Sequence, residues 1–75
     1  MSRFPRISSR KLTSILLKLG FFIHHQKGSH IHLRHRIKRQ LRLVIPANRE
    51  TLAPKTLKTI LIQAELTVED IKEFL

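Results

Sequence analysis

The chain has 75 residues, a formal charge of +10, five histidines and no cysteine. Without cysteine there are no disulfides and no thiolate metal sites, and no apolar run reaches the ~18 residues that a bilayer span needs. A chain this short buries only about 60% of the surface its unfolded form exposes, so one domain covering residues 1–75, with a modest core, is expected.

Residues 1–7, with Pro5 among them, predict a short irregular lead-in. The basic stretch at residues 1–11 is not followed by an apolar signal-peptide core, because Thr13, Ser14 and Lys18 interrupt residues 12–19, and a cytoplasmic location is expected. Ser8 or Ser9 can cap a helix. Leu12, Ile15, Leu16 and Leu19 then recur at helical spacing, opposite Arg10, Lys11, Thr13, Ser14 and Lys18. Gly20 follows, where a helix ends. Residues 21–27 predict a strand. Gly28-Ser29 predicts a two-residue turn, with Gly at the first central position as type II′ requires. Residues 30–35 predict a second strand, Ile31 and Leu33 alternating with His30, His32 and Arg34. Residues 36–39 form a basic connection. Residues 40–45 predict a third strand with Leu41, Leu43 and Ile45 on one face, stopped by Pro46. After a loop, Pro54 suits the first turn of a second helix, whose stripe is Leu57, Ile60, Leu61 and Ala64. Thr67 with Asp70 resembles a capping box, opening a short helix with Val68, Ile71, Phe74 and Leu75. The fold class is α+β: a three-stranded antiparallel sheet in the order α-β-β-β-α, two helices on one face and a short C-terminal helix.

The charge is unevenly placed. Residues 1–49 hold twelve Lys and Arg and no acid, whereas residues 50–75 hold three Lys and all five acids. A field of one sign is self-repelling, and an anionic partner offsets that cost. Nucleic acid is the leading candidate, since phosphate neutralisation supplies most non-specific affinity. A membrane surface is disfavoured because both helices need their apolar faces for the core.

A two-residue turn at Gly28-Ser29 sets Lys27 opposite His30 and His25 opposite His32, all on one face with Arg34. Gln26, Ile31, Leu33 and Phe22 are then expected on the apolar face. Phe21 and Ile23 fit this scheme imperfectly, Ile23 falling on the polar side, and His24 and His35 are expected at the edge of the core. The polar face suits RNA, which carries its own nucleophile in the 2′-hydroxyl. Cleavage needs a base for that proton, an acid for the leaving 5′-oxygen and cations on the phosphate. Histidine titrates near neutrality, and Lys27 and Arg34 are placed to stabilise charge. His30 is the candidate acid or base; its bland alternative is a surface histidine that only touches phosphate. Gly28, Ser29, His32, Arg36, Lys38 and Arg39 are the further candidate RNA contacts. Ser29 is no serine nucleophile, lacking both a carboxylate partner and a strand-to-helix elbow. A histidine metal site is disfavoured because no Asp or Glu precedes Glu50; no metal and no cofactor are expected.

These residues together resemble the HicA toxins of bacterial HicA–HicB toxin–antitoxin modules. The resemblance covers residues 9–74. It rests on Leu19-Gly20-Phe21 at the helix end, Gln26-Lys27-Gly28-Ser29-His30 opening the second strand, Arg34-His35, Ile45-Pro46, and Thr56-Leu57-Lys58-Thr59-Ile60-Leu61 with Gln63-Ala64. It implies a double-stranded-RNA-binding-domain-like fold, endoribonuclease action on mRNA that arrests translation, His30 as the catalytic histidine, and a HicB-type antitoxin that blocks the site. The chain departs from the family pattern at residues 36–39, where a turn rich in Pro, Asp and Gly is usual. It departs also at Ala47-Asn48, where a His often follows the Pro, and at Lys55 and Glu65, where Gly is usual. The free chain is expected to be a monomer. The second reading is an RNA-binding module of the same fold without turnover. His30→Ala separates the two, because a binder keeps its function and a nuclease loses it.

Overall fold

The computed structural model describes residues 4–75; residues 1–3 of the predicted lead-in lie outside the described residues. The elements are α1 (Ser9–Lys18), β1 (Phe21–Lys27), β2 (His30–His35), β3 (Arg42–Pro46), α2 (Pro54–Ala64) and α3 (Val68–Lys72). The strands form one antiparallel sheet in the order β1-β2-β3. The α1 stripe of Leu12, Ile15 and Leu16 and the α2 stripe of Leu57, Ile60, Leu61 and Ala64 share one buried cluster with Leu33, Leu43 and Ile45 of the sheet. This is the α+β arrangement of double-stranded-RNA-binding-like domains.

Two adjacent serines start α1 in different ways. Ser8 is the cap, its Oγ accepting the Lys11 N–H at 3.0 Å. Ser9 is buried, and its Oγ donates to the Pro46 carbonyl and accepts the Arg49 N–H at 3.1 Å. Its own N–H donates to the Arg49 carbonyl at 2.9 Å. A single hydroxyl thus ties the helix start to the end of β3, and leaving those groups unpaired costs about 1–3 kcal/mol each. Part of the segment expected to be irregular is also anchored: Ile7 is buried, and its carbonyl accepts the Leu52 N–H at 2.8 Å.

The third strand is shifted from its expected place. It runs Arg42–Pro46 rather than over residues 40–45. Its start is delayed because the Leu41 N–H turns back onto the Lys38 carbonyl at 2.9 Å. Pro46 belongs to the strand, opposite His30. Proline is tolerated there because β3 is an edge strand and Pro46 its last residue.

His35 organises that same turn. Its Nδ1 accepts the amides of Ile37 at 3.1 Å and Lys38 at 2.9 Å. An N–H can only donate, so Nδ1 is bare and the hydrogen sits on Nε2, which donates to the Leu19 carbonyl at 3.3 Å. The ring meets buried Phe21 edge-on, 4.8 Å between centroids. His35 is therefore a structural residue at the border of the core.

Turn and cap chemistry follows the sequence. Gly28 has φ 57° and Ser29 is not in the positive-φ region, which fits a type II′ turn and not type I′. The Thr67–Asp70 capping box forms, Asp70 Oδ2 accepting the Thr67 N–H at 2.8 Å. At the end of α2, Glu65 takes the left-handed conformation, φ 57° and ψ 39°. Glycine holds that conformation without steric cost. Glu65→Gly is expected to raise stability by up to about 1 kcal/mol, the roughly 1–2 kcal/mol that a left-handed backbone costs an L residue less the chain entropy that glycine loses on folding, measured as a shift of the thermal unfolding midpoint. No gain would mean that the Glu65 side chain compensates for its backbone.

Candidate functional site

The outer face of the sheet, away from both helices, is built by strand pairing. Directly opposed residues share a face. Lys27 pairs with His30 and His25 with His32 on the β1–β2 side. His30 pairs with Pro46, His32 with Val44 and Arg34 with Arg42 on the β2–β3 side. The pairing expected from the two-residue turn is thus the one observed near the hairpin tip. Gly28, Ser29, Lys27 and His30 are all exposed at that tip.

Further along β1 the expectation for Phe22 is overturned. A bulge between Ile23 and His25 inserts His24 as an extra residue. Each residue added to one strand reverses the faces beyond it. Phe21, not Phe22, therefore enters the core, and Phe22 lies opposite Arg34 on the outer face. The same bulge removes the conflict at Ile23, which pairs with core residue Leu33 yet stays about half exposed at the sheet edge. His24, expected at the border of the core, is instead exposed in the bulge.

Three imidazoles meet above the middle of the sheet. The His25 and His32 rings are stacked, centroids 4.2 Å apart and planes within 14°. His24 Nδ1 lies 2.8 Å from His25 Nδ1, so one of these two nitrogens carries a hydrogen and donates. Half-buried His32 titrates below the ordinary histidine range, first because it loses hydration and then through repulsion from His25, His30 and Lys27. Among the described residues, no three of His, Cys, Asp and Glu gather where they could hold a metal ion.

The remaining predicted contacts divide. Arg34, Arg36 and Arg39 converge with Phe22, His24 and His35 around a cleft of about 270 Å³. Lys38 lies exposed on the same turn and does not line that cleft. Arg42, which the sequence reading did not single out, faces Arg34 across the strands. Its alternation with Leu41 and Leu43 was the available signal. A larger recess on the helix side is lined by Arg10, Thr13, Gln26 and Arg49 among others, and there Thr13 Oγ1 is buried with no hydrogen-bond partner among the described residues.

Among the described residues no helix is long and apolar enough to cross a membrane. No curated protein matches the chain. Residues 9–66, from the start of α1 to just beyond α2, match the family described as HicA toxin of bacterial toxin-antitoxin. That span holds the helix, hairpin and outer face described above, and the chain belongs to the HicA family, the toxin side of a toxin–antitoxin pair.

Proposed function

We propose that the protein is an endoribonuclease that cuts mRNA and arrests translation, restrained by a HicB-type antitoxin seated on the outer sheet face. The observation that carries this reading is the pairing of exposed His30 with Lys27, beside the His25–His32 stack, on a surface where no acid precedes Glu50. The reaction uses the RNA's own 2′-hydroxyl. Its oxygen bonds to the adjacent phosphorus while one imidazole takes its proton. The bond from phosphorus to the 5′-oxygen breaks, and a second, protonated imidazole donates to that oxygen. The products end in a 2′,3′-cyclic phosphate and a 5′-hydroxyl. His30 is one of the two proton-transfer groups. Lys27, paired with His30, bears on the phosphate at the cut, where a fixed cation stabilises charge that develops in the transition state, and Arg34, farther along β2, bears on a neighbouring phosphate. Gly28, Ser29, His32, Arg36, Lys38 and Arg39 extend the contact along the strand.

The test is incubation of purified protein with a long single-stranded RNA in EDTA, beside His30→Ala. Cleavage by the wild type alone, leaving cyclic phosphate ends, supports the proposal. Binding without cleavage by either protein overturns it and leaves an RNA-binding module.

The lowered titration of His32 has a consequence for stability. Its folded form resists a proton that the unfolded chain accepts near pH 6.5. Stability from this residue is thus present above that pH and is lost as pH falls through the lower folded value. The thermal midpoint is expected to drop between pH 7 and pH 5, and His32→Ala to flatten that drop. An unchanged slope in the variant would show that other groups govern it.

A further inference from the structure

We propose that the cleft between Phe22, His24, Arg34, Arg36 and Arg39 is a nucleotide subsite that takes one unpaired base against the Phe22 ring and the neighbouring phosphates on the guanidiniums. The proposal rests on the reading of the protein as RNA-binding and names the form of RNA it takes, single-stranded at this position.

Phe22 is the exception among the phenylalanines. Phe21 is fully buried, and Phe4 and Phe74 pack against the core cluster. Phe22 alone has been turned away from the core by the bulge at His24, and it stands among cations. The ring is half-buried, packed among basic side chains rather than in the core, and it offers them a π-face. Stacking on such a face is how single-stranded nucleic acid is held without base pairing. Bases in a duplex are stacked on one another and show only their edges, so the ring face of Phe22 selects an unpaired base. The cleft volume of about 270 Å³ lies just below the ~300–1,000 Å³ of drug-sized ligand pockets and suits one base better than a helix.

The cations are arranged for the same ligand. The Arg36 guanidinium lies over the ring, 5.6 Å from its centroid. That is near the ~6 Å limit of a cation–π contact, and Arg36 is exposed, so a small outward swing lets a base enter between guanidinium and ring. Arg34 is paired opposite Phe22, and Arg39 closes the cleft from the turn. Among the described residues no carboxylate lines it. The turn that carries Arg36 and Arg39 is held in place by His35 and by the Arg36 N–H donating to the Gly20 carbonyl at 2.9 Å. His24 lines the cleft and touches His25, which stacks on His32, so the subsite is continuous with the imidazole cluster. Arg34 lies four residues along β2 from His30, about 13 Å at strand spacing. A base bound here sits a short run of nucleotides away from the bond that His30 addresses, and helps decide where a strand is cut.

The experiment uses the full chain carrying His30→Ala, so that RNA stays intact. The probes are a labelled single-stranded RNA oligonucleotide and a duplex of the same length. Phe22→Ala and Phe22→Leu are expected to weaken single-strand binding by about 5- to 100-fold, with duplex binding unchanged. Phe22→Leu, which keeps most of the half-buried side chain, is expected to change the thermal midpoint little. Phe22→Trp is expected to restore affinity. Because the natural chain has no Trp, the introduced indole reports directly, and its emission is expected to be quenched by the single strand and not by the duplex. Equal losses for both RNAs, or no loss for either, would overturn the subsite. Emission that responds to the antitoxin but not to RNA would overturn it too, marking the cleft as a protein contact. A wild type that fails to cleave, with the Phe22 results as expected, removes the nuclease and leaves the subsite standing.

Discussion

Replacing His30 by Ala is expected to lower the rate of RNA cleavage by about a hundred- to ten-thousandfold, the range that one positioned proton-transfer group contributes. RNA affinity should change little, because Lys27, Arg34, Arg36, Arg39 and Arg42 keep their charges. Folding should change little as well. His30 is exposed at the hairpin tip, so truncation opens no cavity, and the turn conformation depends on Gly28. Single-turnover rates at saturating protein, measured beside affinity, separate the two effects. The wild-type rate should also follow pH through the histidine range. A flat profile between pH 5 and 8 would remove imidazole from the mechanism, and equal cleavage by both proteins would move the chemistry to another residue.

Gly20→Ala is expected to cost on the order of 3 kcal/mol. Gly20 has φ +99°, and an added Cβ would stand 2.7 Å from His35 Nε2, well inside contact distance. A left-handed backbone costs an L residue roughly 1–2 kcal/mol. Displacing the imidazole adds to this, since its hydrogen bonds to Leu19, Ile37 and Lys38 are worth about 1 kcal/mol each. For a chain of this length total stability is on the order of 4–11 kcal/mol, so the loss is a large share. Urea denaturation gives the magnitude. Amide exchange gives the location, with the Ile37 and Lys38 amides losing protection first. His35→Ala in the same background should cost less than it does alone, because it removes the ring that the new methyl strikes. A Gly20→Ala cost below about 1 kcal/mol would mean that the turn re-forms without that imidazole, against the role given to it.

The elements were legible where a single local rule governs them. The α1 and α2 stripes, the Gly28-Ser29 turn and the Thr67–Asp70 box each depend on neighbours within a few residues. The register near the hairpin tip followed from the turn, and with it the grouping of Lys27, His25, His30 and His32. What was not legible depends on contacts between distant segments. Ser9 and Arg49 meet only after folding, and a sequence shows nothing of the shared hydroxyl. The delayed start of β3 follows from a turn set by His35, which is itself held by Leu19 just past α1 and by Phe21 of β1. The bulge had left a trace, since Phe21-Phe22 cannot both face a core in a regular strand and Ile23 fell on the wrong side. Alternation alone reports that parity breaks and does not say at which residue. That single inserted residue hid the aromatic half of the Phe22 cleft, while its basic half was plain from Arg34, Arg36 and Arg39.

The bulge also bears on how the free chain behaves at high concentration. A three-stranded open sheet has two borders, β1 and β3, each offering unpaired amides and carbonyls to any strand that arrives. On β1, the extra residue at His24 breaks the repeat of donors and acceptors halfway along, and Lys27 places a cation near its end. On β3, Pro46 offers no amide, and Arg42 repels a second copy of the same basic sheet. Neither border presents an uninterrupted template longer than a few residues. Growth of one sheet onto another is thereby disfavoured at both borders, so the strand edges guard against self-pairing while the charged face stays open.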